Sequence, residues 1–453
     1  MKRLNAFSLF SIKGVAYMSE MIDSGFEWLG SIPKSWKSET IRHLMVSRDG
    51  GAWGEEPSDD EDGTICMRIA DFDYCKGRFK ETPTDELTRR KYTNSQIKKL
   101  QLQKGDILIE KSGGGDKTPV GRTVLFDKDY QALFANFMER LRFIQSVVSP
   151  EYIEYWLRAW YSSKAAPFYI NQTTGIQNIN VTLLIAKERV FYPNLNAQKE
   201  IVMFLDGVCA DIDSLSRKIN DQISSLEAYK RSLITEAVTK GIQHADTPLE
   251  SGIEWVGCIP SNWEVMPNKY IMQKKKRICP VYNGEDILSL TMNGVIVRDL
   301  DAGGKMPASF DGYQKIEPGN LLMCLFDIDV TPRCIGLIKN QGLTSPAYSQ
   351  FVMKKGAYAP YYYYYYLMLD YSKELLHMAK NLRHSLTEDQ LGAIKTIKPP
   401  YEEQVEIAEF LDGKCAKIDR IIEKKTEQLS VLEDYKKSLI YEYVTGKKEV
   451  PSA

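Results

Sequence analysis

The residues best suited to chemistry in the first half of the chain lie in two loops rich in glycine, amide and basic side chains. The candidates are Lys111, Ser112, Lys117, Thr118 and Arg122 in the first loop, and Gln172, Thr173, Thr174, Gln177 and Asn178 in the second. Glycines let a backbone approach a phosphate closely, and Lys and Arg neutralise its charge. Arg can also form paired hydrogen bonds with guanine, as Asn and Gln can with adenine. These residue types suit nucleic-acid recognition, but for each segment taken alone a solvated loop is favoured.

The second half offers three further polar segments. Arg333 closes the loop Asp327–Arg333, which follows a predicted strand as the loop 111–122 does in the first half. The other candidates are Lys380, Asn381, Arg383 and His384 near the end of this half, and the basic cluster Lys274, Lys275, Lys276 and Arg277. Such a cluster suits backbone phosphates. The matching placement of loops in both halves favours a shared recognition role.

No enzyme signature is complete in this sequence. Lys398–Tyr401 resembles the Asn-Pro-Pro-Tyr motif of adenine methyltransferases, but lysine replaces its first residue. The glycine-rich Gly113–Thr118 lacks the P-loop spacing. Four histidines and eight cysteines form no metal-ligand pattern and no C-x-x-C pair. The chain is therefore predicted to be non-catalytic, with no metal and no cofactor of its own.

An internal repeat indicates the framework that holds these loops. Ser24–Trp36 returns as Ser251–Trp263, 227 positions later, and Gln198–Gly207 returns as Gln404–Gly413, 206 positions later. Two similar frames therefore hold two different inserts. Repeats of this kind indicate a scaffold that varies what it presents.

Each half is predicted to end in a long helix. Ala210–Val238 contains neither Pro nor Gly, and apolar residues recur at three- and four-residue steps, as expected for one face of a helix. These residues are Ile212, Leu215, Ile219, Ile223, Leu226, Tyr229 and Leu233, and in the second half Ile418, Ile422, Leu429, Leu432, Tyr435 and Leu439. About 30 residues make a rod of roughly 45 Å. Antiparallel pairing of the two helices, with an approximate twofold axis, is favoured over each helix folding back on its own domain.

The inserts are predicted to mix short strands with a few helices, which gives an α+β fold. Asp106–Ile109 and Asn320–Met323 read as strands, and helices are predicted after Pro150 and Pro360. Aligning the prolines matches Tyr152, Tyr155, Trp156 and Leu157 with Tyr362, Tyr365, Tyr366 and Leu367. Helix packing is therefore favoured for the tyrosine run Tyr361–Tyr366, and a base-stacking platform is the alternative.

Composition fits an ordinary globular protein with several domains. The 453 residues are 43% apolar and carry a net charge of -1, which argues against a wholly basic coating protein. No apolar run approaches the ~18 residues of a membrane span, and the scattered cysteines fit a reducing cytoplasm. Met1–Asp23 is predicted to be a poorly ordered leader, with Met18 or Met21 as plausible starts.

The doubled motifs resemble those of the specificity subunits of type I restriction-modification systems. The resemblance covers Ser24 to about Val450 and rests on the two repeats above and on the paired endings Tyr229–Ile234 and Tyr435–Ile440. Gly175–Ile179 also resembles the family's glycine-glutamine-asparagine segment. The second half has Arg383-His384-Ser385-Leu386 at that place, which is a departure from the pattern.

The resemblance implies two globular target-recognition domains in a pseudo-twofold arrangement, joined by two long helices packed as an antiparallel coiled coil. The predicted boundaries are a leader at 1–23, recognition domains at 24–196 and 245–400, and helical spacers at 197–244 and 401–453.

The resemblance also implies a function. Each recognition domain would read one half of a bipartite, asymmetric site in double-stranded DNA, with no membrane involved. The helices would set the spacing and dock two methyltransferase subunits, which bind S-adenosylmethionine and methylate adenine. Two restriction subunits using ATP and magnesium would join for cleavage. A coiled-coil scaffold without base-specific reading is the alternative, and an enzyme fused to its own reader is a weaker one.

Overall fold

The protein was analysed as a computed structural model, which describes residues 20–58, 62–115, 118–163, 165–173, 175–243, 248–301, 307–379 and 384–451. The fold divides into two compact units. Described residues up to Ile219 and from Glu427 onward form the first unit, and Asn220–Thr426 forms the second. Most of the leader predicted at Met1–Asp23 lies outside the described residues. Its last residues, Met21–Asp23, form a strand paired with Ser31–Pro33, so the prediction of disorder is wrong there.

The first unit contains sixteen strands and three complete helices among its described residues. The strands are β1 (Met21–Asp23), β2 (Ser31–Pro33), β3 (Lys37–Thr40), β4 (Met45–Gly50), β5 (Thr64–Met67), β6 (Phe72–Asp73), β7 (Arg78–Phe79), β8 (Arg89–Arg90), β9 (Ile107–Glu110), β10 (Ser112–Gly113), β11 (Thr123–Leu125), β12 (Ala132–Phe134), β13 (Met138–Phe143), β14 (Ile170–Thr173), β15 (Ile176–Ile179) and β16 (Arg189–Tyr192). The helices are α1 (Asn94–Leu100), α2 (Pro150–Ser162) and α3 (Val181–Lys187), and α4 (Leu195–Lys240) begins in this unit.

A six-stranded sheet, in the order β4-β13-β9-β11-β7-β6, forms the centre of the first unit. Strand β9 is buried on both faces. Its successive side chains point to opposite sides of the sheet, and each side packs in a core. Ile107 and Ile109 join the core that contains helix α2, whereas Leu108 joins a second core on the other face. The predicted strand at Asp106–Ile109 is thus confirmed, shifted by one residue.

The second unit has twelve strands and three complete helices among its described residues. The strands are β17 (Pro248–Glu250), β18 (Cys258–Pro260), β19 (Glu264–Pro267), β20 (Met272–Lys275), β21 (Leu288–Thr291), β22 (Gly294–Val297), β23 (Gln314–Ile316), β24 (Leu321–Met323), β25 (Ile335–Leu337), β26 (Gly342–Thr344), β27 (Ser349–Met353) and β28 (Lys395–Lys398). The helices are α5 (Ala359–Ser372), α6 (Glu374–Met378) and α7 (Glu388–Ala393), and α8 (Tyr401–Val444) begins here and ends in the first unit.

The central sheet of the second unit has the order β20-β27-β24-β25. Strand β24 repeats the behaviour of β9. Leu321 and Met323 pack in the core that contains helix α5, and Leu322 packs in a smaller core on the opposite face. The two inserts therefore share a buried central strand, although their surrounding strands differ.

Helices α4 and α8 pair with opposite directions within the first unit. The rings of Phe204 and Tyr443 lie 4.6 Å apart, and Lys436 Nζ lies 2.6 Å from Asp213 Oδ1. As α4 advances from residue 204 to 213, its contacts on α8 run backwards from 443 to 436. This confirms the predicted antiparallel pairing for this unit.

The second unit shows the same direction of pairing with the helix roles exchanged. Lys425 donates to Gln222 at 2.6 Å, and Lys230 Nζ lies 2.6 Å from Asp419 Oδ1. Lys230 and Asp419 stand 206 positions from Lys436 and Asp213. Each repeat thus contributes an acid from the first half of its helix and a lysine from the second half.

The apolar stripe predicted on the helices is only partly covered. Ile212 and Ile219 are buried, but Leu215 is 47% exposed and Tyr229 is 55% exposed. Two packed helices shield only the sides that face each other, so a wide stripe leaves residues at its margin in solvent. The partner helix therefore covers only part of the predicted stripe.

The tyrosine run lies in helix α5 and is packed inside the second unit. Tyr361, Tyr362, Tyr365 and Tyr366 are almost completely buried, which confirms helix packing and excludes a stacking platform. The predicted alignment on prolines is wrong by one residue, because α2 begins at Pro150 itself and α5 begins one residue before Pro360.

Candidate nucleic-acid interface

The two polar loops predicted in the first half lie side by side. Strand β10 pairs with β15, and β15 pairs with β14, so a small three-stranded sheet joins them. The Ser112 hydroxyl donates to Asn178 Oδ1 at 2.5 Å, and the backbone N–H of Val120 donates to Gln177 Oε1 at 3.2 Å. Sequence predicted both loops as candidates, and the structure adds that they form one surface.

One glycine of the first loop, Gly114, is required by its fold. Gly114 has a φ of 70°, and a Cβ built on it would stand 2.5 Å from the backbone nitrogen of Val120 and 3.0 Å from Gln177 Oε1. A side chain at this position would push the loop away from β15. The tight turn therefore depends on glycine, and Gln177 holds the turn in place.

Arg122 is held by an internal ion pair. Its guanidinium donates to both carboxylate oxygens of Glu110, at 2.9 and 2.8 Å, and lies 3.6 Å from the centre of the Tyr74 ring. The Tyr74 hydroxyl also donates to Glu110, and burial together with this bond raises the pKa of that hydroxyl. Contact of Arg122 with a guanine stays a prediction, and it requires at least part of this pair to open.

The other candidates of the first unit differ in exposure. Lys111 Nζ lies 3.5 Å from Glu139 Oε1 and remains partly exposed, and Thr118 and Gln172 are exposed. The backbone of Thr173 pairs with Ile176. The remaining two candidates, Lys117 and Thr174, lie outside the described residues.

The second unit brings its two predicted loops together as well. The N–H of Leu386 donates to the carbonyl of Leu325 at 2.8 Å, and that of Ile328 donates to the carbonyl of His384 at 3.2 Å. The His384 side chain is exposed. The candidates Lys380, Asn381 and Arg383 lie outside the described residues.

Arg333 lies inside the second unit. Its guanidinium is 3.5 Å from Asp370 Oδ2 and 5.0 Å from the centre of the Tyr371 ring, and its side chain is 10% exposed. Asp370 Oδ2 also accepts the N–H of Cys334 at 3.2 Å. The geometry assigns Arg333 a partner on helix α5, and base contact by this residue stays a prediction.

The basic cluster covers the last two residues of β20, which is an edge strand, and the two residues after it. Lys275 Nζ lies 2.6 Å from Glu317, Arg277 lies 3.7 Å from the same carboxylate, and Lys274 lies 3.7 Å from Glu388. Lys276 is exposed. Exposed ion pairs contribute only about 0–1 kcal/mol, so these cations can exchange their partners for phosphates at little cost.

In each unit, one buried glutamine connects the insert to its long helix. Sequence analysis did not predict this role. Gln198 accepts the N–H of Ser149 at 2.8 Å and donates to the carbonyls of Val147 and Pro193, at 3.2 and 2.9 Å. The only sequence signal was that Gln198 stands in a repeated motif.

Gln404 makes the same three bonds in the second unit. It accepts the N–H of Tyr358 at 2.8 Å and donates to the carbonyls of Gly356 and Pro399, at 3.0 and 2.7 Å. Because Gln198 and Gln404 bind equivalent backbone groups inside their units, their role is to hold the frame together and not to contact bases.

The repeated aspartates fasten the same junction. The Tyr155 hydroxyl donates to Asp206 Oδ1 at 2.7 Å, and the Tyr364 hydroxyl donates to Asp412 Oδ1 at 2.6 Å. These bonds also correct the alignment of the two helices, because they match Tyr155 with Tyr364 and not with Tyr365. The repeated glutamines and aspartates are therefore structural.

Among the described residues, no cluster of three or more His, Cys, Asp or Glu side chains has the geometry of a metal site. Within the same ranges, no helix combines the length and hydropathy needed to cross a membrane.

Comparisons with known proteins find several that are similar to this chain. A family model described as the type I restriction modification DNA specificity domain matches residues 71–225. Two curated proteins of Methanocaldococcus jannaschii are similar over most of their length. The putative type I restriction enzyme MjaX specificity subunit is 24% identical over 443 residues, covering 93% of this chain and 96% of that protein. The type I restriction enzyme MjaVIII specificity subunit is 24% identical over 419 residues, covering 85% and 92%.

A solved structure, from work on complex assembly and conformational transition of the type I R-M system, has a similar fold. Its TM-score is 0.63 at 12% sequence identity, and the match covers 92% of this chain and 99% of that one.

Proposed function

The chain belongs to the family of type I restriction-modification specificity subunits, which are non-catalytic, and from this premise we propose that its two units read different halves of one split, asymmetric DNA site. Its function is DNA sequence specificity. One observation supports separate reading by the two units. Both units have the same frame, held by Gln198 in the first and by Gln404 in the second, but the loops on the two frames differ. Different loops on equivalent frames select different base sequences.

The exposed residues of the long helices support a docking role. Leu215 and Tyr435 are exposed in the first unit, and their repeat equivalents Ile421 and Tyr229 are exposed in the second. Apolar and aromatic side chains of this kind are enriched in protein interfaces. We propose that each set docks one methyltransferase subunit, which gives two in the complex.

Catalysis is proposed to reside in the partner subunits. S-adenosylmethionine would be bound by the methyltransferase subunits, and ATP and magnesium by restriction subunits, as the family resemblance implies. The buried tyrosines and cysteines of this chain lie in packed cores, where burial raises the pKa of the Cys334 thiol to about 12 and so disfavours the reactive thiolate.

Methylome sequencing tests the proposed function. Deleting this gene from its host is expected to abolish methylation at one split, asymmetric motif, and restoring the gene is expected to restore it. Persistence of every methylated motif in the deletion strain contradicts the proposal.

A binding assay separates sequence reading from mere scaffolding. The assembled complex should prefer its target over scrambled DNA by about 1,000-fold or more. Its affinity should fall steeply with salt, because phosphate contacts release counterions. A scaffold without base reading would bind all sequences alike.

A further inference from the structure

The hairpin formed by β14 and β15 ends in a narrow two-stranded ribbon. Its two strands pair from Ile170 with Ile179 to Thr173 with Ile176, and Gly175, next to Ile176, has a φ of 86°. The third strand, β10, pairs only with Gln177 and Asn178, so the outer end of the hairpin extends beyond it as a two-stranded ribbon. The DNA major groove, about 12 Å wide, admits such a ribbon.

The register divides the hairpin into an inner and an outer face. Gln177 and Ile179 turn inward and are buried. Alternation places Asn171, Ile176 and Asn178 on the opposite face. These outer residues belong to different strands, so the face presents side chains from both sides of the turn.

The outer residues are not equally available. The carboxamide of Asn178 already accepts a hydrogen bond from Ser112. Asn171 is exposed, and its carboxamide makes no hydrogen bond within the described part of the chain. Ile176 is 58% exposed, which is a large apolar exposure for a strand residue. Among the outer side chains that the structure describes, Asn171 and Ile176 are therefore the ones left to meet a ligand.

The hairpin also lacks charge. Residues 170–179 contain no Asp, Glu, Lys or Arg. Phosphates are gripped chiefly by charged and donor groups, whereas base edges are read by amides and by apolar contact with the thymine methyl group. A neutral tip that combines a carboxamide with an aliphatic side chain is complementary to base edges.

We infer that Asn171 and Ile176 are sequence-determining residues of the first unit, and this inference rests on the proposed function. The Asn171 carboxamide accepts from adenine N6 and donates to N7, and Ile176 packs on a thymine methyl group. Both residues lie in the amide-rich segment 171–178 that the sequence singles out, but neither is among its predicted contacts. Gln177 and Asn178, which were, hold the hairpin against the glycine loop.

The register also predicts the separation of the two contacts. Asn171 and Ile176 are diagonal neighbours on paired strands, which places these residues about 7–8 Å apart. Successive bases along one strand are about 3.4 Å apart. The two contacted base pairs should therefore lie about two steps apart in the half-site read by the first unit.

Single-atom changes in the DNA test the inference, using the full chain assembled with its partner subunits. Deoxyuridine replaces each thymidine of that half-site in turn, and 7-deazaadenine replaces each adenine. The wild-type complex should lose about fourfold in affinity at one thymidine. It should lose about 5- to 150-fold at one adenine.

The variants identify the reader of each group. Ile176→Ala should abolish sensitivity to the thymine methyl group alone, and Asn171→Ala should abolish sensitivity to adenine N7 alone. Ile176→Val, which keeps methyl groups at this position, should retain part of the sensitivity. Matched exposed residues of the first unit, in the variants Ile22→Ala and Asn196→Ala, should behave as wild type.

Three outcomes separate the failures. Variants that keep full sensitivity to both DNA changes overturn the inference and leave the proposed function standing. Variants that lose assembly with the partner subunits show that the hairpin is a protein contact, which also overturns the inference. A wild-type complex without any preference for its target overturns the proposed function itself.

Discussion

At the scale of single residues, the buried glutamines determine how each insert is fixed to its helix. Replacing Gln198 by Ala leaves the N–H of Ser149 and two carbonyls without their partner in a buried junction. An unsatisfied buried polar group costs about 1–3 kcal/mol, so denaturant unfolding of the first unit should show a loss of that size. The exposed Gln103→Ala is the matched control and should change stability by less than about 0.5 kcal/mol. Equal losses in the two variants contradict the assignment.

Glu154 gives the first unit a residue-scale dependence on pH. It is fully buried on helix α2, and burial raises its pKa to about 7 although Arg158 and Arg78 lie 3.7 and 3.4 Å away. The unfolded value is 4.5. Between these values the folded protein holds a proton that the unfolded chain has released, so the free energy of unfolding falls as pH rises through this window.

Glu154→Gln removes that titration. From pH 5 to pH 8 the wild type should lose about 2–3 kcal/mol of stability relative to this variant, since each unit of pKa shift corresponds to about 1.4 kcal/mol and pH 5 to 8 spans most of the titration. Denaturant midpoints of the first unit at the two pH values measure the difference. Parallel pH profiles for the two proteins would show that the carboxyl group ionises normally in the fold.

At the scale of elements, the paired helices should set the distance between half-sites. The boundary between the two units falls after Ile219 in α4 and after Thr426 in α8. Extra residues inserted at both positions therefore leave the contacts inside each unit unchanged. Seven residues in each helix add about 10.5 Å, nearly in phase with the helical repeat. Methylome sequencing should find the same half-sites with a spacer longer by about three base pairs. An insertion in α4 alone disturbs the pairing with α8 and should impair assembly, and an unchanged spacer in the double insertion rules out the ruler role.

The elements also show what sequence can and cannot predict. The stripe from Ile212 onward and the repeat of Gln198 and Gln404 predicted the helices, their pairing and the frame, because periodicity and repetition depend on local pattern. The partners of Arg122 and Arg333 were not predictable, because Glu110 and Asp370 reach them only through the folded sheet and helix. The one-residue error in aligning the tyrosines arose because a proline occupies the first position of α2 but the second position of α5. Local pattern thus predicts elements, and tertiary contact determines which polar groups remain available.

At the scale of the whole molecule, the first recognition insert should be exchangeable without its frame. The ends of the insert are set by Trp36 and by Gln198, while Tyr152 donates to the carbonyl of Val444 on helix α8. Residues 37–192 are therefore the segment to replace with the corresponding insert of another family member, provided that the incoming insert keeps a tyrosine at the place of Tyr152. Methylome sequencing should then show a new first half-site, with the second half-site and the spacer unchanged.

The reciprocal exchange of residues 264–398 is the matched control for this prediction. It keeps Gln404 and Asp412 in place, with Tyr361 and Tyr364 needed in the incoming insert, because their hydroxyls donate to the carbonyl of Val238 and to Asp412. The second half-site should change and the first should remain. Each insert carries its own loops and is fixed to its own frame, so each exchange should change one half-site. A change of both half-sites in either exchange would mean that the two units do not read the DNA separately. The modular interpretation of the repeat would then have to be abandoned.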